Sequence, residues 1–289
     1  MASHIQSPFE WGWNRSRDSV AEIGTSRPEE YWSRARDDTA APSVRRIGLA
    51  DLRAALASGF DDFAANRTDV LVLCLLYPVI GLALARLASG YNLLPLLFPL
   101  AAGFALVGPL AAIGLNEMSR RREQGGHVSW IDAFGVLRSP SLVAIAQLGA
   151  LLLAIFALWL VVADALYNAT LGPEPPVSIS AFAHDVLATD AGWLMIEAGI
   201  GIGFLFAVAV LAISVVSFPV LLDRPVSAAT ALRTSLRAVR ANPGTMAVWG
   251  FIVAAGLVIG SLPFFLGLTI VLPVLGHATW HLYRRVVEP

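Results

Sequence analysis

The sequence predicts an all-α fold: a polytopic membrane helix bundle with six transmembrane helices. Of the 289 residues, 56% are apolar and 14% are charged, against roughly 45–50% and about 25% in average usage. Uncharged runs of about 20 residues recur, which is the length that crosses the hydrocarbon core of a bilayer. Arginines collect in alternate links between these runs. The net charge of −1 speaks against a nucleic-acid partner, which requires a strongly basic surface.

The amino-terminal region differs from the rest of the chain. Residues 1–46 are polar, and their seven arginines balance their seven acids. Without apolar periodicity such a segment cannot bury a core, so we predict a disordered cytoplasmic arm over residues 1–43. An integral membrane domain then occupies residues 44–289. Trp11 and Trp32 are unusual in a solvating tail and leave open a docking segment for a partner or for the membrane interface.

The membrane domain begins with an amphipathic helix followed by two spans. Over Ile47–Phe63, apolar side chains recur at steps of three and four, which places them on one helix face. Val70–Leu87 is just long enough to cross the membrane, and Leu93–Leu115 is a second span. The apolar face of the amphipathic helix contains Leu49, Leu52, Leu56, Phe60 and Phe63.

A second unit repeats this layout. His127–Arg138 is a short amphipathic segment, and Leu142–Ala163 is the third span. The fourth span, Trp193–Leu222, follows a long loop over residues 164–192 that is acidic and rich in proline. Its length allows the fourth span to tilt or to protrude from the membrane.

The third unit completes the bundle. Ser227–Val239 is an amphipathic helix, and Thr245–Tyr283 contains no formal charge if its histidines are neutral. This run suffices for two spans, with a break at Ser261–Pro263 because proline disfavours helix at the preceding residue. The sequence therefore predicts three helix-hairpin units, each preceded by a cytoplasmic amphipathic helix.

The distribution of arginine predicts the orientation. The amino-terminal flank, the second and fourth links and the carboxyl end are basic, whereas the opposite loops are acidic or uncharged. Basic segments remain in the cytoplasm, so both termini should be cytoplasmic. The arginines that carry this signal are Arg45, Arg46, Arg53, Arg67, Arg120, Arg121, Arg122, Arg138, Arg224, Arg233, Arg237, Arg240, Arg284 and Arg285.

Distinctive motifs are distributed over residues 44–287. They include Tyr77–Leu82, Asn92–Phe104, Ser119–Glu123 and the closing Leu275–Arg285. In these motifs the chain resembles a family of predicted bacterial integral membrane proteins, the domain-of-unknown-function family 2189. The resemblance implies a multi-pass protein of the bacterial inner membrane and implies no activity.

Two histidines are the strongest candidates for a metal site. His277 and His281 are four residues apart, so they share a helix face and can hold one metal ion jointly. Glu117 is the candidate third ligand, because a shift of 164 positions that superimposes spans two and six lays it on His281. The opposing interpretation is that both histidines serve packing and headgroup contact near Trp280 and Tyr283.

Two charged residues near the outer face are candidates for transport or for an ion pair. Glu197 lies a few residues into the fourth span, and Arg86 lies at the outer end of the first. Charges within a bilayer are functional candidates, so Glu197 could bind a proton or substrate. Alternatively the two side chains pair across the bundle, or Arg86 extends to the interface.

The sequence contains no Walker loop, HExxH, GxSxG or dinucleotide motif. We therefore predict no enzyme activity and no cofactor. The leading hypothesis is a structural or accessory inner-membrane component that contacts the lipid bilayer and another membrane complex. The first alternative is a small transporter or channel in which Glu197 works, and the second is a metal or haem carrier that uses His277 and His281.

Overall fold

Helices supply the regular secondary structure of the described part of the chain. A computed structural model describes residues 42–65, 95–126, 128–263 and 266–288, and no β-strand occurs within these ranges. The all-α fold class is thus confirmed. The helices in order are α1 (Leu49–Ala65), α2 (Leu97–Ala111), α3 (Ile113–Glu123), a 3₁₀ helix (Trp130–Arg138), α4 (Leu142–Thr170), α5 (Ile179–Ala188), α6 (Asp190–Ser214), α7 (Ser217–Asp223), α8 (Ala228–Ala241), α9 (Pro243–Ser261) and α10 (Leu268–Val286).

Among the described residues, four helical stretches are long and apolar enough to cross a membrane. They are Phe98–Glu123, Leu142–Thr170, Asp190–Asp223 and Pro243–Ser261. These stretches cover α2 with α3, α4, α6 with α7, and α9, which correspond to predicted spans two to five. The fourth ends at Ser261, where the following proline predicts a break.

Six spans remain a prediction. The first predicted span, Val70–Leu87, lies outside the described residues. The sixth coincides with α10, which is helical over Leu268–Val286 and is not among the four apolar stretches. Its carboxyl half explains why, because the two histidines and two arginines there lower its hydropathy.

The long loop between spans three and four is partly helical, which corrects the prediction for residues 164–192. α4 continues to Thr170, and α5 occupies Ile179–Ala188. Ser178 caps α5 by accepting a hydrogen bond from the backbone N–H of Ala181 at 3.1 Å. Apolar periodicity over ten residues is too short a signal to distinguish a helix from a loop beside several prolines.

A tryptophan joins three of the apolar stretches. The ring nitrogen of Trp159 in α4 donates a hydrogen bond to the carbonyl oxygen of Pro99 in α2 at 2.9 Å. The indole also packs against Phe206 of α6, with ring centroids 5.5 Å apart. A buried indole N–H thus has an acceptor, as a low-dielectric interior requires.

Burial is concentrated at one end of the helices. In α7 the side chains of Phe218 and Leu221 are 1% exposed, and Trp280 and Tyr283 in α10 are equally buried. By contrast, Phe251 of α9 is 72% exposed, as expected of a side chain that faces lipid. The chain therefore builds its best-packed layer where α3, α7 and the end of α10 meet, and the apolar stretches extend from that layer.

The helices of this layer contact one another and the amphipathic helices. α3 contacts the 3₁₀ helix, α7 contacts α8, and α10 contacts α1 most extensively of all. The segments α3, α7 and α10 also contact each other. The contact between α10 and α1 brings the two ends of the described membrane domain together.

The two ends of the domain are also joined by backbone hydrogen bonds. Val44 and Val287 form an isolated antiparallel bridge, and the N–H of Arg45 donates to the carbonyl of Val286 at 2.8 Å. Asn242, between α8 and α9, also holds the amino-terminal end, because its Oδ1 accepts from the N–H of Ile47 at 2.7 Å. The position of α1 against α10 is therefore fixed at its start as well as along its length.

The side chains of α1 that are buried differ in part from the predicted apolar face. Leu52 and Phe63 are buried, whereas Leu49 and Phe60 are 63% and 55% exposed. The contact with α10 covers a face that also includes Gly59, so the buried side is rotated from the one that apolar spacing indicates. Close helix approach, rather than side-chain size alone, selects the buried face.

Candidate functional site

A polar cluster is buried where α1, α3 and α10 meet. Its centre is Asp62 of α1, whose Oδ2 accepts a hydrogen bond from the hydroxyl of Ser119 at 2.6 Å and lies 2.8 Å from Nε2 of His281. Nδ1 of His277 lies 2.8 Å from the Ser119 hydroxyl oxygen. Arg122 approaches the other carboxylate oxygen, with its Nε 3.4 Å from Oδ1. We call these five side chains the Asp62 cluster.

The hydrogen bonds of the Asp62 cluster imply one arrangement of protons. The Ser119 hydroxyl donates to the carboxylate, so its oxygen accepts from His277, which must then carry hydrogen on Nδ1. His281 donates from Nε2 to the same carboxylate oxygen. The result is a continuous chain from His281 through Asp62 and Ser119 to His277. His281 is 21% exposed and His277 is fully buried, so the chain leads inward from the surface.

The environment of Asp62 favours its charged form. Burial by itself raises the pKa of the Asp62 carboxyl, but the hydrogen bonds from His281 and Ser119 and the attraction of the two histidines outweigh it. The pKa of Asp62 therefore lies below its ordinary value. A buried carboxylate at this position stabilises the fold only while its donors remain in place.

The carboxylate of Glu117 is paired with arginines of its own helix. Its carboxylate is 4% exposed and forms ion pairs with Nε of Arg120 at 2.8 Å and with Nε of Arg121 at 2.7 Å. Arg121 also binds Asp132 of the 3₁₀ helix at 2.6 Å, so Glu117 holds the arginine that fixes that helix. In the described ranges, no group of three histidine, cysteine or acidic side chains is arranged to hold a metal ion.

A second polar network surrounds the end of α10. Tyr283 donates from its hydroxyl to Oδ2 of Asp223 at 2.5 Å, and the indole of Trp280 donates to Glu123 at 2.9 Å. Arg284 bridges both acids, with its Nε 3.0 Å from Glu123 and its Nη1 3.4 Å from Asp223. α10 is thus tied to α3 and to α7 by charged hydrogen bonds as well as by packing.

The structure brings together some of the predicted site residues. His277 and His281 both reach the Asp62 cluster from one side of α10, as their spacing predicts. Glu197 lies on α6 with an exposed side chain. Its predicted partner Arg86 lies outside the described residues, so the ion pair between them stays a prediction.

Asp62 and Ser119 were missed from sequence, although Asp62 carried a signal. It lies directly beside Phe63 and three residues after Gly59, on the buried side of α1. A carboxylate on the buried face of an amphipathic helix is rare unless it is paired. Ser119 carried no such signal, because only the fold brings α3 between α1 and α10.

Comparison with known proteins gives a family match over part of the chain. The family described as predicted integral membrane protein (DUF2189), of unknown function, matches residues 97–223, from the start of α2 to the end of α7. No curated protein and no solved structure matches the chain significantly. The matched region includes Ser119 and Arg122 but neither Asp62 nor the two histidines. Over these residues the chain matches the predicted integral membrane proteins of domain-of-unknown-function family 2189, which confirms the resemblance for this part of the chain.

Proposed function

We propose that this integral membrane protein is a non-enzymatic accessory component of the bacterial inner membrane that packs against another membrane complex. One observation supports the absence of enzyme activity: the acidic side chains buried among the described residues, Asp62 and Glu117, are engaged by the chain's own donors. Ser119 is 1% exposed and directs its hydrogen at Asp62. A general acid or base must reach substrate, and these groups instead connect helices.

The proposal includes six spans with both termini in the cytoplasm. It is supported by three contacts between helices: α3 with the 3₁₀ helix, α7 with α8, and α10 with α1. In each pair, the helix that ends the second span of a unit contacts an amphipathic helix. Each pair contains arginines, which belong on the cytoplasmic side.

The first test concerns topology. A reporter enzyme active only outside the cytoplasm should be active when fused after Gly172 and inactive when fused after Gln124 or after Pro289. The reason is that the arginine-rich ends remain in the cytoplasm while the loop that contains Gly172 is translocated. Reporter activity after Pro289 would refute the six-span topology.

The second test concerns the partner. A photo-crosslinking residue at Phe204 of α6 samples a side chain that is 65% exposed, and one at Phe251 of α9 samples another that is 72% exposed. An accessory protein buries one such face against a different polypeptide, because van der Waals packing between helices replaces lipid contact there. We expect a discrete protein adduct from one of these positions and lipid adducts from the other, with the complex surviving mild detergent.

Transport is the second candidate, and the exposed carboxylate of Glu197 on α6 favours it. A protein that crosslinks only to lipid or to identical copies, and that conducts protons or solute in vesicles, would contradict the accessory role. Loss of this flux in Glu197→Gln would then assign transport to that side chain.

A further inference from the structure

α8 presents three exposed arginines along one side of a single helix. Arg233, Arg237 and Arg240 are exposed and lie at steps of four and three, so they follow one side of the helix. Within the described ranges none of the three forms an ion pair. Six other arginines in those ranges pair with carboxylates: Arg120, Arg121, Arg122, Arg224, Arg284 and Arg285. Arg45, Arg46, Arg53 and Arg138 form no ion pair there either, but they do not line one side of a single helix.

The opposite side of α8 is attached to the protein. Thr230, Thr234 and Ser235 are buried, and the hydroxyl of Ser217 in α7 donates to the carbonyl of Ala231 at 3.2 Å. The helix therefore keeps its orientation without help from the arginines. The sequence predicts an apolar face of Ala229, Leu232, Leu236 and Val239 for this helix. Ala229 is exposed and the other three are half-buried, between the attached side and the arginines.

The position of α8 places the arginines at the depth of lipid headgroups. α8 contacts α4, α6, α7 and α9, so it lies across the ends of several apolar stretches. α9 begins at Pro243, three residues after Arg240. At 1.5 Å per residue, Arg233 is about 15 Å along the chain from the start of that stretch. Half-buried leucines beside exposed arginines are typical of helices in the membrane interface.

We propose that the stripe Arg233, Arg237 and Arg240 is a binding surface for the phosphate groups of anionic lipids in the leaflet that α9 enters. These guanidinium groups lie on a fixed helix and form no ion pair with any described residue, and they match phosphate oxygens in charge and in geometry. An anionic lipid is favoured over an acidic protein because the helix continues directly into an apolar stretch. The orientation relative to the cytoplasm rests on the proposed topology, but the lipid contact itself does not.

The test measures lipid binding to the purified full-length protein in neutral detergent, so it is independent of topology. Dioleoyl phosphatidylglycerol and dioleoyl phosphatidylcholine are titrated and the bound forms are counted by native mass spectrometry. Each arginine near anionic lipid is worth about a fivefold change in affinity, so replacing all three with glutamine should weaken phosphatidylglycerol binding ~100-fold. Phosphatidylcholine binding should not change.

A matched control removes three other exposed arginines: Arg46 before α1, Arg53 in α1 and Arg138 in the 3₁₀ helix. This control has the same net charge as the stripe variant but should retain most of the phosphatidylglycerol affinity. Added salt should weaken lipid binding to the wild type more than to the stripe variant. Equal lipid binding by the stripe variant and the wild type would overturn the proposal. A stripe variant that keeps its bound phosphatidylglycerol but loses a crosslink to a partner protein would also overturn the proposal, in favour of an acidic protein partner.

Discussion

Replacing Gly59 with leucine is expected to prevent accumulation of folded protein. A Cβ at this position would lie 2.6 Å from the backbone nitrogen and 2.7 Å from the Cα of Ala278. Backbone atoms in the middle of α10 cannot move aside as a flexible side chain can, so α1 and α10 would have to separate. This contact is the most extensive between helices of the described chain, and it carries Asp62 to its partners.

Alanine at the same position tests the mechanism more finely. In an exposed helix, glycine to alanine stabilises by about 1 kcal/mol, whereas overpacking costs about 1–3 kcal/mol. We expect Gly59→Ala to lower the thermal unfolding midpoint in detergent, which reverses the sign expected from helix propensity. Combining it with Ala278→Gly should restore only part of the loss, because two of the three nearest atoms belong to the backbone.

Ala57→Leu is the matched control for this series, since Ala57 lies on α1 with an exposed side chain. It should leave the unfolding midpoint nearly unchanged. A Gly59→Ala variant as stable as the wild type would show that α1 does not approach α10 this closely.

Asp62→Asn should be the second most damaging change. The substitution keeps the shape of the side chain but removes the charge that Arg122, Ser119 and His281 all address. Either orientation of the amide turns an N–H₂ group towards a donor. Breaking a buried ionic cluster in this way is expected to destabilise the protein by roughly 3 kcal/mol, measured as a lower free energy of unfolding in detergent.

The neighbouring Asp61→Asn provides the control, because Asp61 is exposed on the same helix and its change removes the same formal charge. Its effect should be small, as for surface ion pairs. An Asp61→Asn variant that loses as much stability as Asp62→Asn would assign the loss to general charge and not to the cluster.

The stability difference between wild type and Asp62→Asn should depend on pH in one direction. Because the folded pKa of Asp62 is lowered, its contribution is present above the unfolded value of about 4 and is lost as pH falls through the folded value. Acidification from neutral pH should therefore bring the two unfolding curves together. A gap that stays constant down to strongly acidic pH would show that the carboxylate charge is not what stabilises the contact.

Prediction from sequence succeeded where the signal is local. The apolar runs predicted spans two to five, since hydropathy over about 20 residues is decided by composition alone. The four-residue spacing correctly placed His277 and His281 on one side of α10. The same reasoning missed α5, whose ten residues are too short for a clear period.

Local sequence patterns could not predict which residues far apart in the chain form pairs. The shift that laid Glu117 on His281 suggested a shared site, but Glu117 binds Arg120 and Arg121 within its own helix. Asp62 reaches His281 across 219 positions in sequence. Neither partner choice is visible in spacing, because carboxylates pair with whichever donors the fold brings near.

The sequence by itself determined that the chain is helical, that it belongs in a membrane and which segments are basic, because these properties depend on residue type and on spacing within single helices. Only the tertiary structure decided that α10 packs along α1, that Asp62 is the centre of a buried cluster and that Arg233, Arg237 and Arg240 are left exposed. Each of these depends on how closely backbones approach, as at Gly59 and Ala278, and on the low dielectric that makes a buried charge depend on its partners.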